Sequence, residues 1–123
     1  MLQMTLDELE ASVREFMETK LDLDITSEDL KYKRLRHLVE ELGEFAEAQA
    51  SGDEVEIADA LGDLLYILVG TFLVYDLPMT AIIKEIHRSN MTKDKLNSSH
   101  KGGKGTSFQQ PRLAEVIDNV RRN

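Results

Sequence analysis

The chain is predicted to be all-α: an up-and-down four-helix bundle followed by a basic C-terminal flap and a short terminal helix. Two observations predict this class. Apolar residues recur at spacings of three and four through the first 90 positions, and no segment shows the alternation of a strand. Composition agrees, because 41% hydrophobic and 31% charged residues with two prolines suit a folded chain of solvated helices. Residues 1–90 are read as the helical bundle that carries the chemistry, and residues 91–123 as a basic flexible tail and terminal helix of the same domain.

The first helix is expected over residues 5–20, where Leu6, Leu9, Val13 and Phe16 keep helical spacing and Thr5 stands in capping-box relation to Glu8. Residues 21–26 break that pattern. The second helix starts at Ser27 or Glu28 and runs to Ser51, with Gly52 as a left-handed stop and an apolar stripe of Leu35, Leu38, Leu42, Phe45 and Ala46. A third, over residues 53–75, is hydrophobic on nearly every side beyond Leu64 and is expected at the centre of the bundle. Pro78 opens a fourth that runs to Asn90. The segment "TKDKLNSSHKGGKGTSFQQP" reads as an irregular or flexible flap, and "RLAEVIDNVRR" after Pro111 as the last helix.

A chain of 123 residues fits one domain, and a monomer of that size buries only about two-thirds of its unfolded surface, so association of subunits would add stability. The absence of cysteine excludes disulfides, thiolate zinc sites and cysteine nucleophiles, and a cytoplasmic address is expected. The longest apolar run, "LLYILVGTFLVY", falls short of the roughly 20 residues a bilayer crossing takes, so no membrane partner is expected. Residues 1–83 carry 6 basic and 19 acidic groups, whereas residues 84–123 carry 9 basic and 4 acidic ones. The acidic body argues against nucleic-acid binding, which needs a dominant positive surface. An acidic body beside a basic tail suits a small polyanion held through metal ions on one side and ammonium groups on the other.

Acid is concentrated on two helices. Glu40, Glu41, Glu44 and Glu47 cover an arc of roughly 120° on the second helix, with Glu41 and Glu44 nearest the bundle seam. Glu56, Asp59 and Asp63 fall within roughly 60° of one another on the third. That helix has no lysine or arginine, and an isolated buried carboxylate costs many kcal/mol, so Asp63 before "LLYILV" is expected to be a buried acid that needs a cation. Carboxylates from two helices without a protein cation are what a hard divalent ion selects: Mg²⁺, with Mn²⁺ as its substitute. Glu40 and Glu47 taken alone also read as a solvated face.

The chain resembles the all-α nucleoside triphosphate pyrophosphohydrolases, the MazG-like and phosphoribosyl-ATP-pyrophosphohydrolase-like superfamily. "EELGE" (40–44) matches its E-E-x-x-E motif, "EIADALGDLLYIL" (56–68) its second acidic motif, and "HRSNMTK" (87–93) the tail of one bacterial and phage branch; the likeness spans about residues 30–112. It implies a four-helix body, a homodimer or homotetramer, and Mg²⁺-dependent hydrolysis of a nucleoside triphosphate to monophosphate and pyrophosphate, a house-cleaning activity on non-standard or deoxynucleotides. It also implies metal binding by Glu41 and Glu44. In the second motif, E-x-x-D, Ala60 stands where a glutamate would precede Asp63, whereas Glu56 and Asp59 keep the spacing, so the ligands among these three acids stay open.

Attack of water between the α and β phosphates needs positive charge and a base, and Glu40 or Glu47 is the candidate base. Asn90 offers a donor and an acceptor for a base or sugar edge, and Arg88 and Lys93 close the fourth helix beside it in sequence. Lys101 and Lys104 in "HKGGKG" read as a basic lid for phosphate, or as a solvated linker. Lys33, Arg34 and Arg36 read as surface charge, with phosphate contact as the other reading. Two rival functions are hydrolysis of phosphoribosyl-ATP by the same chemistry, and a non-catalytic helical dimer that merely binds cations.

Overall fold

A computed structural model of the chain describes residues 3–96 and 102–123. It is all-α, as expected. Residues up to Asp76 form one compact unit and those from Leu77 onward a second.

In the first unit, α1 (Leu6–Glu15) starts at Thr5, whose hydroxyl accepts from the Glu8 amide while the Glu8 carboxylate accepts from the Thr5 amide. The expected single helix to residue 20 is corrected at Glu15: Phe16–Lys20 is a π-helical turn, closed by the Leu21 amide donating to the Phe16 carbonyl. Val13 and Met17 are buried. After a loop in which Asp24 accepts from the Thr26 amide and hydroxyl, α2 (Glu28–Ser51) runs to Gly52, whose φ of 71° supplies the left-handed stop. Asp53 caps α3 (Glu54–Val74) by accepting from the Val55 and Glu56 amides. With so short a turn, α2 and α3 form an antiparallel hairpin, and α1 packs on α3.

The face of α2 that meets α3 differs from the expected stripe. Leu30, Arg34 and Ala48 are buried and Leu38, Glu41 and Phe45 half-buried, whereas Leu35 and Leu42 are 67% and 56% exposed and Ala46 is exposed. The seam residues recur at spacings of three and four, but two of them are charged, so hydrophobicity alone marks the neighbouring face. Nor is α3 sheathed on all sides. Ala60, Val69, Gly70, Leu73 and Val74 are buried, while Leu61, Leu65 and Leu68 stand exposed. Helical geometry sets these leucines one step round from the seam, level with Leu35, Val39 and Leu42 on the same side of the hairpin.

By length and composition α3 is long and apolar enough to cross a membrane, contrary to the expectation from its 12-residue run. The reason is that the apolar window extends back past Asp59 and Asp63, two carboxylates that would each cost about 3 kcal/mol near a bilayer centre.

The second unit holds α4 (Met79–Asn90), a ribbon of β1 (Asp94–Leu96) and β2 (Gly102–Gly103), and α5 (Leu113–Arg122), which packs on α4. The strands pair antiparallel, Asp94 with Gly103 and Leu96 with Gly102. The expected irregular flap is therefore partly ordered. Gly105 lies so close to the Asp94 carboxylate that an added Cβ would overlap it. Further along, the Ser89 hydroxyl donates to the Gln109 carbonyl (2.7 Å) and the Gln109 amide to the Thr92 hydroxyl (2.8 Å), which ties the segment before α5 to the end of α4.

Candidate functional site

The hairpin turn sets the register in which the acids of α2 and α3 meet. One carboxylate oxygen each from Glu41, Glu44 and Asp63 lie within 4.8 Å of one another. Glu41 is half-buried, and its Oε2 is sealed from solvent with no hydrogen-bond partner among the described residues. Burial pushes the Glu41 carboxyl above its usual range, the negative charges of Glu44 and Asp63 and a hydrogen bond with Glu44 push it further, and His37 one turn away opposes them.

The sequence leads to Asp63 as the buried acid; the structure assigns that place to Glu41. Asp63 and Glu44 are exposed. Of the run after Asp63 that made it look like a core position, Leu65 and Leu68 are themselves exposed in the single chain.

The acid continues along the hairpin. Glu44, Glu47, Ala48, Glu56, Asp59 and Ala60 line a concavity of about 260 Å³. Both readings of the second motif thus lie on the acidic side of α3, with Asp63 beside Glu41 and the Glu56–Asp59 pair beside Glu47. Glu56 also accepts from the Ser51 hydroxyl (3.0 Å) in the first turn of α3. Beyond Asp63 a second concavity, about 370 Å³, is lined by Phe16, Glu41, Asp63, Tyr66 and Ile67, with the rings of Phe16 and Tyr66 edge to face at 5.7 Å. Glu40 points elsewhere: it is exposed and paired with Arg36 at 3.3 Å.

Sequence reasoning missed Arg34. It is 6% exposed, not a surface charge: Nη2 donates to the Ile67 carbonyl (2.7 Å) and Nε to the Thr71 hydroxyl (3.2 Å) on α3. Burial pulls its pKa down. The signal available was position, since Arg34 precedes Glu41 by seven residues and so shares its helix face. Phe16 and Tyr66 were passed over because each fits an ordinary apolar spacing.

The second unit holds the expected substrate contacts. Arg88 is engaged within that unit: it donates to both oxygens of the buried Glu85, to the Gln109 side chain (2.9 Å) and to the Gln110 carbonyl (3.3 Å). Asn90 is exposed at the last position of α4, and Lys93 is half-buried with its amide donating to the Asn90 carbonyl. Lys104 is exposed, its ammonium 5.3 Å above the Phe108 ring, and Lys101 lies outside the described residues.

Three hard oxygen donors within 4.8 Å of one another, one of them from a half-buried carboxylate with an unpartnered oxygen, fit a divalent cation. The model of the phosphoribosyl-ATP pyrophosphohydrolase family matches residues 5–90, and the chain belongs to that family. It is accordingly a nucleotide pyrophosphohydrolase, a hydrolase acting on acid anhydrides, of a metal-dependent kind. No curated protein matches the chain.

Proposed function

We propose that the chain cleaves nucleoside triphosphates between the α and β phosphates, releasing monophosphate and pyrophosphate, with non-standard or deoxynucleotides as substrates. Glu41, Glu44 and Asp63 would hold Mg²⁺, with Mn²⁺ able to replace it. The observation that carries this reading is the convergence of one oxygen from each of these three carboxylates, within 4.8 Å of one another, at a residue, Glu41, that also keeps a buried oxygen unpartnered. When bound, a divalent ion supplies positive charge for the phosphate oxygens.

The chain's own residues supply the rest. Glu47, facing Glu56 and Asp59 in the adjoining concavity, is better placed than Glu40 to take the proton of the attacking water, because Glu40 is held by Arg36. As water adds to the α phosphorus, the bond to the bridging oxygen breaks and pyrophosphate leaves with the bonding electrons. Glu56 and Asp59 add ligand capacity beside Glu44. Asn90, Lys93, Lys101 and Lys104 are proposed to contact substrate; Arg88, tied to Glu85 and Gln109, is assigned instead to shaping the second unit.

The family description favours a second reading, phosphoribosyl-ATP as the substrate. A panel of nucleoside and deoxynucleoside triphosphates with phosphoribosyl-ATP, assayed for pyrophosphate release with Mg²⁺ and with chelator, decides between them. Activity on the triphosphates that chelator abolishes is expected; turnover of phosphoribosyl-ATP alone replaces the first reading with the second.

We also propose a homodimer or homotetramer built on the band of Leu35, Val39, Leu42, Leu61, Leu65 and Leu68, which is 40% to 67% exposed in one chain. Leu65→Glu is expected to dissociate the assembly, as read by light scattering; a parent that is monomeric at assay concentration would refute it.

A further inference from the structure

Arg34 is a buried cation whose partners on α3 are neutral. Among the described residues it makes no ion pair; it grips the carbonyl of Ile67 and the hydroxyl of Thr71, and the Thr71 hydroxyl in turn donates to that same carbonyl (2.8 Å). Room for the guanidinium comes from Gly70, where an added Cβ would stand 2.6 Å from Arg34 Nη2 and 3.1 Å from Met17 Sδ. Seven residues, two helical turns or about 10 Å, separate Arg34 from Glu41 on α2 and Gly70 from Asp63 on α3. The Arg34 contact and the carboxylate cluster are therefore two rungs of one antiparallel register. At the carboxylate rung the two helices carry like charge, Glu41 and Glu44 against Asp63, which pushes α2 and α3 apart there.

We propose that Arg34, seated over Gly70, is a positioning residue for the metal-binding carboxylates: it locks α2 against α3 at the register that brings Glu41 opposite Asp63. The proposal rests on the metal-site reading above. A planar fork suits the task, since Nη2 and Nε meet the Ile67 carbonyl and the Thr71 hydroxyl, 2.8 Å from each other, in one fixed geometry, whereas a lysine ammonium is a point charge on a flexible stem and an aliphatic side chain has no donor. Loss of this contact displaces the ligands from one another without removing any of them.

The test is Mn²⁺ binding by calorimetry, at a temperature where circular dichroism shows each variant folded. Gly70→Ala and Arg34→Met are each expected to weaken Mn²⁺ binding about tenfold, the usual effect of losing a group that orients a ligand. Gly70→Ala added to Arg34→Met should weaken it no further, because no guanidinium remains to be displaced. Arg34→Lys should restore little of the loss. Val13→Ala, which removes buried packing from α1, should lower the melting temperature yet keep the parent affinity. Parent affinity in folded Gly70→Ala or Arg34→Met, or an equal loss in Val13→Ala, would overturn the proposal; if Arg34→Met does not fold, Gly70→Ala decides alone. Failure of the underlying reading looks different: the parent itself would not bind Mn²⁺, or would bind it unchanged in Asp63→Asn.

Discussion

Glu41 and Glu85 are both glutamates withdrawn from water on helices, and their surroundings push them in opposite directions. Glu85, 9% exposed, accepts from Arg88 through both oxygens, and this hydrogen bonding holds its carboxyl below the usual range against the opposing effect of burial, with Arg112 adding to the same side. Glu41 faces two further carboxylates, keeps one oxygen without a partner, and is pushed above that range. A structural acid arrives with its cation. An acid that keeps a buried oxygen unpartnered beside other acids gains nothing from ionising in the bare chain, so its environment points to a ligand.

The largest effect should come from removing the acid with the unpartnered oxygen. Glu41→Gln is expected to lower turnover about a hundredfold or more, as loss of a metal-site group does, while the protein stays folded and melts no lower than its parent. Pyrophosphate release and a thermal melt check both halves. A Glu41→Gln chain that turns over like its parent would erase the distinction between the two glutamates.

The pH dependences sharpen the comparison, because the signs differ. Glu85 has a folded pKa below its unfolded value, so its contribution to stability is present above the unfolded value and is lost as pH falls through the folded one. Glu41 has a folded pKa above its unfolded value; the stability it contributes without metal is complete below the unfolded value and is lost as pH rises through the folded one. Metal binding must displace that proton, so affinity for Mn²⁺ should weaken on acidification through the raised Glu41 value. The acid-side fall of the urea midpoint should shrink in Glu85→Gln, with Asp24 keeping its share, and the fall of Mn²⁺ affinity on acidification, read by calorimetry, should shrink in Glu41→Gln.

The smallest effect belongs to the tail. Lys104→Ala should raise KM about two- to fivefold with kcat unchanged, the worth of one exposed charge contact. Unchanged KM would return Lys104 to its contact with Phe108.

What the sequence made legible follows local chemistry. The Thr5–Glu8 capping box, the Gly52 stop and the Pro78 start act within a few residues, and α1 starts, α2 ends and α4 starts within a residue of where those signals place them. Burial follows tertiary packing and was read less well. The seam of α2 is marked by Arg34 and Glu41, which hydrophobic periodicity skips, while Leu35 and Leu42 pointed to a face that one chain leaves open. The same effect exchanged Asp63 for Glu41 as the sheltered acid. The cluster itself was legible because helical spacing on two consecutive helices suffices to align it. Its Arg34–Gly70 counterpart was not, because a glycine within an apolar helix carries no mark of what fills the space above it.

The central claim is that the oxygens of Glu41, Glu44 and Asp63 converge to hold a divalent cation. Anomalous diffraction from crystals soaked in Mn²⁺ tests it most directly. A manganese peak between these three side chains, absent from Glu41→Gln crystals soaked in the same way, is the expected result; manganese bound elsewhere, with this cluster empty at saturating concentration, would contradict it.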